Sequence, residues 1–261
     1  MQDFAKWLIV TDLDGTLLGH HDYAFDDALP ALKQLADLGF PVIFNTSKTR
    51  HEILTLRQRL HNHDPFIVEN GSAIFIPQNP LDKHHLRQIE TGLGLPVIRQ
   101  KLAEIRLPED DFLALPDLSV AKIMHLTGLN DEQAKAAASR DYSFPIIWQG
   151  DEPQQQDFIQ RLRSKGLEVL QGGRFLHVQG DTDKATAMKV LRDLYPDHGI
   201  AALGDSGNDL AMLQAAEVAM VIRSPGNQYL PKDFRADYIS KQPAPAGWAE
   251  AIEFLLTAMK L

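Results

Sequence analysis

The sequence contains no cysteine among its 261 residues. Disulfide bridges, thiol nucleophiles and cysteine-bound zinc are therefore excluded. No apolar run approaches the length of a membrane span, and the first one, at residues 7–10, is too short for a secretory signal peptide. These absences favour a soluble protein, and we predict a cytoplasmic location with no membrane partner.

Basic residues are fewer than acidic ones: 26 Lys and Arg stand against 35 Asp and Glu, which gives a net charge of −9. A nucleic-acid partner would favour a basic surface, so the composition argues against one. An anionic small-molecule substrate would need local cations to overcome the repulsion of the whole chain. Phosphate-binding P-loop and GxGxxG motifs are also missing.

Strands and helices alternate at both ends of the chain. We predict strands at 7–11, 41–45 and 65–69, with helices at 26–39 and 49–61 between them. The second helix begins with a capping box, in which Thr49 is followed three residues later by Glu52. The later elements are helix 184–195, strand 200–203, helix 209–216, strand 218–222, a Pro/Ala connector at 241–247 and a helix from Trp248. This alternation predicts an α/β fold with a parallel sheet covered by helices.

The middle of the chain has a different character. We predict helices at 81–90, 95–105, 131–140 and 157–164, and short strands at 144–148, 167–171 and 174–178. The chain length fits a core domain with a large insertion. We therefore predict two core segments, 1–80 and 179–261, separated by an α+β domain at 81–178.

Polar side chains follow the predicted core strands at their carboxyl ends, where open parallel sheets bind ligands. Asp12 and Asp14 follow the first strand. Thr46, Ser47 and Lys48 follow the second strand, and Asp205, Asn208 and Asp209 follow the strand at 200–203. Lys184 lies near the point where the core resumes. We expect four carboxylates, a hydroxyl and a lysine from these residues to converge on one rim of the sheet.

Clustered carboxylates are costly unless a cation neutralises them, and Mg²⁺ suits oxygen ligands that share a site with phosphate. A sparse ligand shell would consist of the Asp12 carboxylate, the backbone carbonyl of Asp14 and the Asp205 carboxylate. It would leave room for a phosphoryl oxygen. Thr46 next to a helix N-terminus and the charge of Lys184 suit a phosphoryl group. Together these groups indicate aspartyl-phosphate chemistry.

The motifs "DLDGT", Thr46, Lys184 and "GDSGND" resemble the four motifs of the haloacid dehalogenase (HAD) phosphohydrolase superfamily. The resemblance implies a Rossmann-like parallel-sheet core, and the insertion resembles its C2B-type α+β cap. The stretches "NTSKT" and "GGRFLHVQGDTDKATA" are further similar to the mannosyl-3-phosphoglycerate phosphatase family. This implies Mg²⁺-dependent dephosphorylation of mannosyl-3-phosphoglycerate to mannosylglycerate through an aspartyl phosphate.

The resemblance also implies roles for individual residues. Asp12 would be the nucleophile and Asp14 the general acid and base. The metal would be held by Asp12, Asp14, Asp205 and Asp209, and the phosphate by Thr46, Ser47, Lys184 and Asn208. The substrate would also contact Lys48, Arg174 and His177.

Several alternatives stay open. The chain could act on glucosyl-3-phosphoglycerate, sucrose 6-phosphate or a hexose phosphate, or be a phosphomutase, because fold does not fix substrate. A non-enzymatic aspartyl-phosphate switch is disfavoured by Asp14, which promotes turnover. Lys48 could be a surface lysine, and Arg174 and His177 fall on opposite faces of an extended strand, so at least one could be structural. Ser206 with Asp209 fits a helix-cap pattern. The sequence does not indicate an oligomeric state.

Overall fold

A computed structural model of the chain describes residues 4, 6–20, 22–79, 82–171 and 175–261. Its strands are β1 (Lys6–Thr11), β2 (Val42–Asn45), β3 (Phe66–Val68), β4 (Ala73–Asn79), β5 (Asp82–Glu90), β6 (Phe112–Ala114), β7 (Ser143–Trp148), β8 (Leu167–Gln171), β9 (Leu176–Gly180), β10 (His198–Gly204), β11 (Val218–Arg223) and β12 (Tyr238–Pro243). Its α-helices are α1 (Leu29–Asp37), α2 (Arg50–Arg59), α3 (Leu95–Ile105), α4 (Val120–Thr127), α5 (Asp131–Ala138), α6 (Glu152–Ser164), α7 (Lys184–Leu194), α8 (Leu210–Gln214) and α9 (Ala246–Ala258).

The larger sheet has the strand order β12-β11-β10-β1-β2-β3-β4-β5. The strands from β12 to β3 run parallel, whereas β4 and β5 are antiparallel additions at one edge. β1 lies in the middle, and its side chains alternate between two apolar cores: Trp7 and Ile9 on one face, Leu8 and Val10 on the other. Burial on both faces explains why this strand reads as a continuous apolar run.

Helices cover both faces of the larger sheet. α1 and α9 supply Leu35, Trp248 and Ile252 to the first core. α7 and α8 supply Met188 and Met212 to the second. The predicted α/β core is therefore confirmed, with the carboxyl ends of β1, β2, β3 and β10 at one rim of the sheet.

The smaller sheet is antiparallel, with the strand order β6-β7-β9-β8. α3 and α6 pack against one of its faces, to which β9 contributes Leu176 and Val178. The intervening residue, His177, therefore lies on the opposite face together with Gln179. This polar face of β9 is directed toward the larger sheet, because Gln179 accepts a hydrogen bond from Asn70, just after β3.

The predicted helix at 81–90 is wrong, because this segment forms β5 and pairs with β4. Leu86 and Ile89 have helical spacing, but the antiparallel partner strand decides the conformation. The sequence reading also missed β4, β6, α4 and the edge strand β12, which includes part of the supposed connector at 241–247. An edge strand tolerates Pro243 because one side of it needs no partner.

The bounds 1–80, 81–178 and 179–261 stay a prediction, although β5 belongs to the larger sheet. No helix in the described part of the chain is long and apolar enough to cross a membrane. The cytoplasmic location also stays a prediction.

Candidate active site

A lysine and two aspartates form a buried ionic centre at the rim of the larger sheet. Asp12 follows β1, and Lys184 is the first residue of α7. The Lys184 ammonium donates to Asp12 Oδ1 and to Asp209 Oδ1, both at 2.6 Å. Lys184 is only 1% exposed, so the two carboxylates stabilise a charge that burial alone would disfavour.

Asp205 adds a third buried carboxylate to this centre. It follows β10, and its Oδ1 accepts a hydrogen bond from the Thr16 hydroxyl at 3.2 Å while Oδ2 accepts one from Ser224. One oxygen each from Asp12, Asp205 and Asp209 lie within 4.8 Å of one another. The three acids are thus far closer together than their mutual repulsion favours.

The pKa values of the site reflect this crowding. Burial is the largest effect and raises the pKa of Asp12 to about 8, against the opposing influence of Lys184. Burial and the nearby Asp209 raise the pKa of Asp205 to about 6. A cation bound between these carboxylates would remove the cost, and an all-oxygen donor set suits a hard divalent ion. The donor set therefore fits a metal site.

Asp209 also has a structural role. Its Oδ2 accepts the backbone N–H groups of Asp205 and Ser206, both at 3.0 Å. Ser206 and Asp209 form a capping box at the short 3₁₀ turn that leads into α8, so the cap pattern seen in the sequence is confirmed. The single carboxylate thus fixes the loop after β10 and pairs with Lys184.

The Asp14 carboxylate pairs with a second lysine. Its Oδ2 is 2.8 Å from the Lys48 ammonium, which lies after β2. Burial by itself lowers the pKa of Lys48, but Asp14 and Glu52 outweigh it and raise that pKa above its usual range. Asp14 Oδ1 has no hydrogen-bond partner in the protein.

The loop after β2 supplies the other predicted phosphate ligands. Thr46 is 1% exposed, and its Oγ1 accepts the Lys48 N–H at 3.2 Å. Ser47 follows it and is partly exposed. Thr49 forms the predicted capping box with Glu52 at the start of α2. Across the site, the Asn208 amide oxygen accepts the Ser206 hydroxyl at 2.6 Å.

The smaller sheet and α5 dock against these loops through residues that the sequence reading missed. Glu69 follows β3, and its carboxylate accepts the N–H groups of Asp141 and Tyr142 and the Ser143 hydroxyl, at 2.9, 3.1 and 2.6 Å. The guanidinium of Arg140 donates to the Ser47 carbonyl at 2.7 Å. The Glu-Asn-Gly sequence at residues 69–71, where the third predicted strand ends, indicates a turn and could have identified Glu69 as a docking residue.

The family model of the haloacid dehalogenase-like hydrolases matches residues 9–225. The chain belongs to this family. It is 36% identical to a glucosyl-3-phosphoglycerate/mannosyl-3-phosphoglycerate phosphatase from Methanococcoides burtonii, over 96% of this chain and 97% of that protein. It is 35% identical to a mannosyl-3-phosphoglycerate phosphatase from Pyrococcus horikoshii, over 83% of this chain and 90% of that one.

A solved HAD structure from Bacteroides thetaiotaomicron has the same fold, with a TM-score of 0.71 at 21% identity, over 98% of this chain and 95% of that one. The fold and family implied by the four motifs are thus confirmed. The chain is a HAD-type phosphatase.

Two residues of the predicted insertion, Arg174 and His177, were expected to bind the substrate, and the structure describes only one of them. Arg174 lies outside the described residues. His177 is 9% exposed, and its Nδ1 has no hydrogen-bond partner. Burial, followed by the charge of Arg140, lowers the pKa of His177 to about 3, so its ring is neutral near pH 7. Its contact with substrate stays a prediction.

Proposed function

We propose that this chain is a Mg²⁺-dependent phosphatase that acts on a glycosyl-3-phosphoglycerate, with mannosyl-3-phosphoglycerate as substrate and mannosylglycerate as product. The observation that carries the proposal is the joint placement of Asp12, Lys184, Asp205 and Asp209 around one point at the sheet rim. The names of the Methanococcoides burtonii and Pyrococcus horikoshii relatives support the substrate class.

Asp12 is the nucleophile in this proposal. One of its carboxylate oxygens attacks phosphorus, the bond from phosphorus to the glycerate oxygen breaks, and Asp14 gives its proton to that oxygen. A water oxygen then attacks the aspartyl phosphate, Asp14 takes the water proton, and the bond between Asp12 and phosphorus breaks. Acid–base assistance of this kind contributes about 10²–10⁴-fold to the rate.

Asp12, Asp205 and Asp209, with the backbone carbonyl of Asp14, would hold Mg²⁺. When bound, the ion neutralises the carboxylates so that the phosphate dianion can approach them. Lys184 contributes a further positive charge. Its ammonium has three N–H groups, two of which bond to Asp12 and Asp209, so the third can donate to a phosphoryl oxygen.

Thr46, Ser47 and Asn208 surround the phosphate in this proposal. Thr46 and Ser47 lie at the end of β2, directly before the capped N-terminus of α2. Backbone N–H groups at such a position favour anions. The leaving group extends from there toward the polar face of β9, where His177 is a proposed contact. Arg174 is a further proposed contact, on the evidence of the sequence alone.

A glucosyl substrate is the second candidate, because the Methanococcoides burtonii relative is named for both sugars. Mannose and glucose differ in the orientation of one hydroxyl, so a pocket that contacts this hydroxyl weakly would accept both. Other sugar phosphates and phosphomutase activity are further outcomes of the same assay.

The test is phosphate release measured with Mg²⁺ and with EDTA. Mannosyl-3-phosphoglycerate, glucosyl-3-phosphoglycerate, sucrose 6-phosphate and hexose phosphates are compared side by side, with Asp12→Asn as the inactive control. We expect Mg²⁺-dependent release with the highest kcat/KM on a glycosyl-3-phosphoglycerate. A preference for another sugar phosphate would overturn the substrate assignment. Transfer of phosphate within the sugar without release would overturn the assignment as a phosphatase.

A further inference from the structure

Lys48 contacts the proposed general acid–base directly. Its ammonium lies 2.8 Å from Asp14 Oδ2, and its side chain is 15% exposed. The other oxygen, Asp14 Oδ1, is buried and has no partner in the protein. The ion pair therefore fixes one oxygen of the carboxylate and leaves the other available for proton exchange.

Two further groups hold the Lys48 ammonium in place. Glu52 Oε1 lies 3.7 Å from it, and the ring centroid of Tyr23 lies 4.9 Å from it. Glu52 is itself fixed, because its Oε2 accepts the Thr49 N–H at 2.8 Å in the capping box of α2. A carboxylate held by the backbone and an aromatic face thus restrict the position of the lysine.

The loop that carries Lys48 is anchored to the inserted part of the chain on both sides of the lysine. Ser47 accepts a hydrogen bond from Arg140 at 2.7 Å, and the Thr49 hydroxyl donates to the Ala136 carbonyl at 2.9 Å. The Lys48 N–H also donates to Thr46 Oγ1. Hydrogen bonds to the inserted part of the chain therefore fix the backbone on both sides of Lys48.

We propose that Lys48 is a positioning residue that orients the Asp14 carboxylate for proton transfer, rather than a residue that binds the substrate. The proposal rests on the proposed function only for the role of Asp14. It replaces the substrate contact predicted for Lys48 from the sequence. Misplacement of a reacting group by about 1 Å can cost about 10²-fold in rate, so an anchored lysine has a measurable effect on turnover.

The experiment measures kcat and KM of Lys48→Met, Lys48→Arg, Asp14→Asn and the double variant Asp14→Asn/Lys48→Met. The substrates are p-nitrophenyl phosphate and the best sugar phosphate from the panel above. Lys135→Met is the matched control, because Lys135 forms an exposed ion pair with Asp131 on α5. Thermal unfolding of each variant verifies that it folds.

We expect Lys48→Met to lower kcat about 10- to 100-fold with KM within about threefold of the wild type. Lys48→Arg retains the cation and should recover most of kcat. In the Asp14→Asn background the Lys48→Met change should cost less than about twofold, because a residue that acts through Asp14 has nothing left to orient. Lys135→Met should leave both constants unchanged.

Two results would overturn the proposal. A raised KM with unchanged kcat would make Lys48 a substrate ligand. A full additional loss in the Asp14→Asn background would mean that Lys48 acts independently of Asp14. If no sugar phosphate is hydrolysed, the proposed function fails, but p-nitrophenyl phosphate still tests the role of Lys48.

Discussion

Lys184 and Asp12 lie 172 positions apart in the sequence, yet the lysine ammonium donates to the aspartate carboxylate at 2.6 Å. The contact forms because β1 and β10 are adjacent parallel strands and α7 precedes β10, which brings three chain segments to one rim. Both side chains are buried, so water cannot replace either partner if the other loses its charge. This contact is the basis of the first prediction.

Asp12→Asn should abolish turnover while the fold is retained. The amide keeps the size of the side chain and can still accept a hydrogen bond from Lys184, but it is a poor nucleophile. We expect a loss of phosphate release of at least about 10³-fold. Asp37→Asn, in an exposed pair with Lys33, is the matched control and should retain full activity. Retained activity in Asp12→Asn would contradict the nucleophile assignment.

Asp205→Asn should weaken the response of the protein to Mg²⁺. In the wild type, Mg²⁺ should raise the thermal midpoint because it relieves the repulsion among three buried carboxylates. A ligand at about 100 times its Kd stabilises the folded state by about 2.7 kcal/mol. Removal of one charged ligand should shift both the melting curve and the activity curve to higher Mg²⁺ concentration. Unchanged Mg²⁺ titrations would remove Asp205 from the metal site.

His177 should make the protein sensitive to acid. Its pKa is about 3 in the folded state, against an ordinary value of 6.5, so below pH 6.5 the unfolded chain binds the proton more readily. The free energy of unfolding therefore falls as the pH drops from 6.5 toward 3 and is unaffected by this group above that range. At pH 5 the loss is about 2 kcal/mol.

Replacement of His177 by glutamine removes this titration. Urea unfolding at pH 7 and pH 5 should show a loss of stability that is smaller by about 2 kcal/mol in His177→Gln than in the wild type. His125→Gln, at an exposed position on α4, should behave as the wild type. An identical pH dependence in all three proteins would mean that His177 does not stay neutral in the fold.

Glu69→Gln should destabilise the junction between the two sheets. Glu69 is fully buried, and its carboxylate accepts three hydrogen bonds from residues 141–143. Glutamine replaces one accepting oxygen with a donating NH₂ group that faces N–H and hydroxyl donors, which should cost about 1–3 kcal/mol. Urea denaturation measures the loss. Glu104→Gln, in an exposed pair with Lys165, should show none.

Much of the core could be read from the sequence because its signals are local. The apolar run of β1, the capping box of Thr49 and Glu52, and the start of α7 at Lys184 depend on nearby residues. Since parallel strands end at the same edge, polar residues after each strand were expected to meet there, and Asp12, Lys184, Asp205 and Asp209 do. Their functional roles stay predictions.

The tertiary structure decided the features that depend on contacts distant in sequence. Residues 82–90 have the spacing of a helix but form β5, because the hydrogen bonds to β4 outweigh local preference. The pairing of Lys48 with Asp14 and the burial of Glu69 against residues 141–143 arise only where separate segments dock. The sequence by itself thus determined which residues stand at the strand ends, and the packing of separate chain segments against one another determined what each of them contacts.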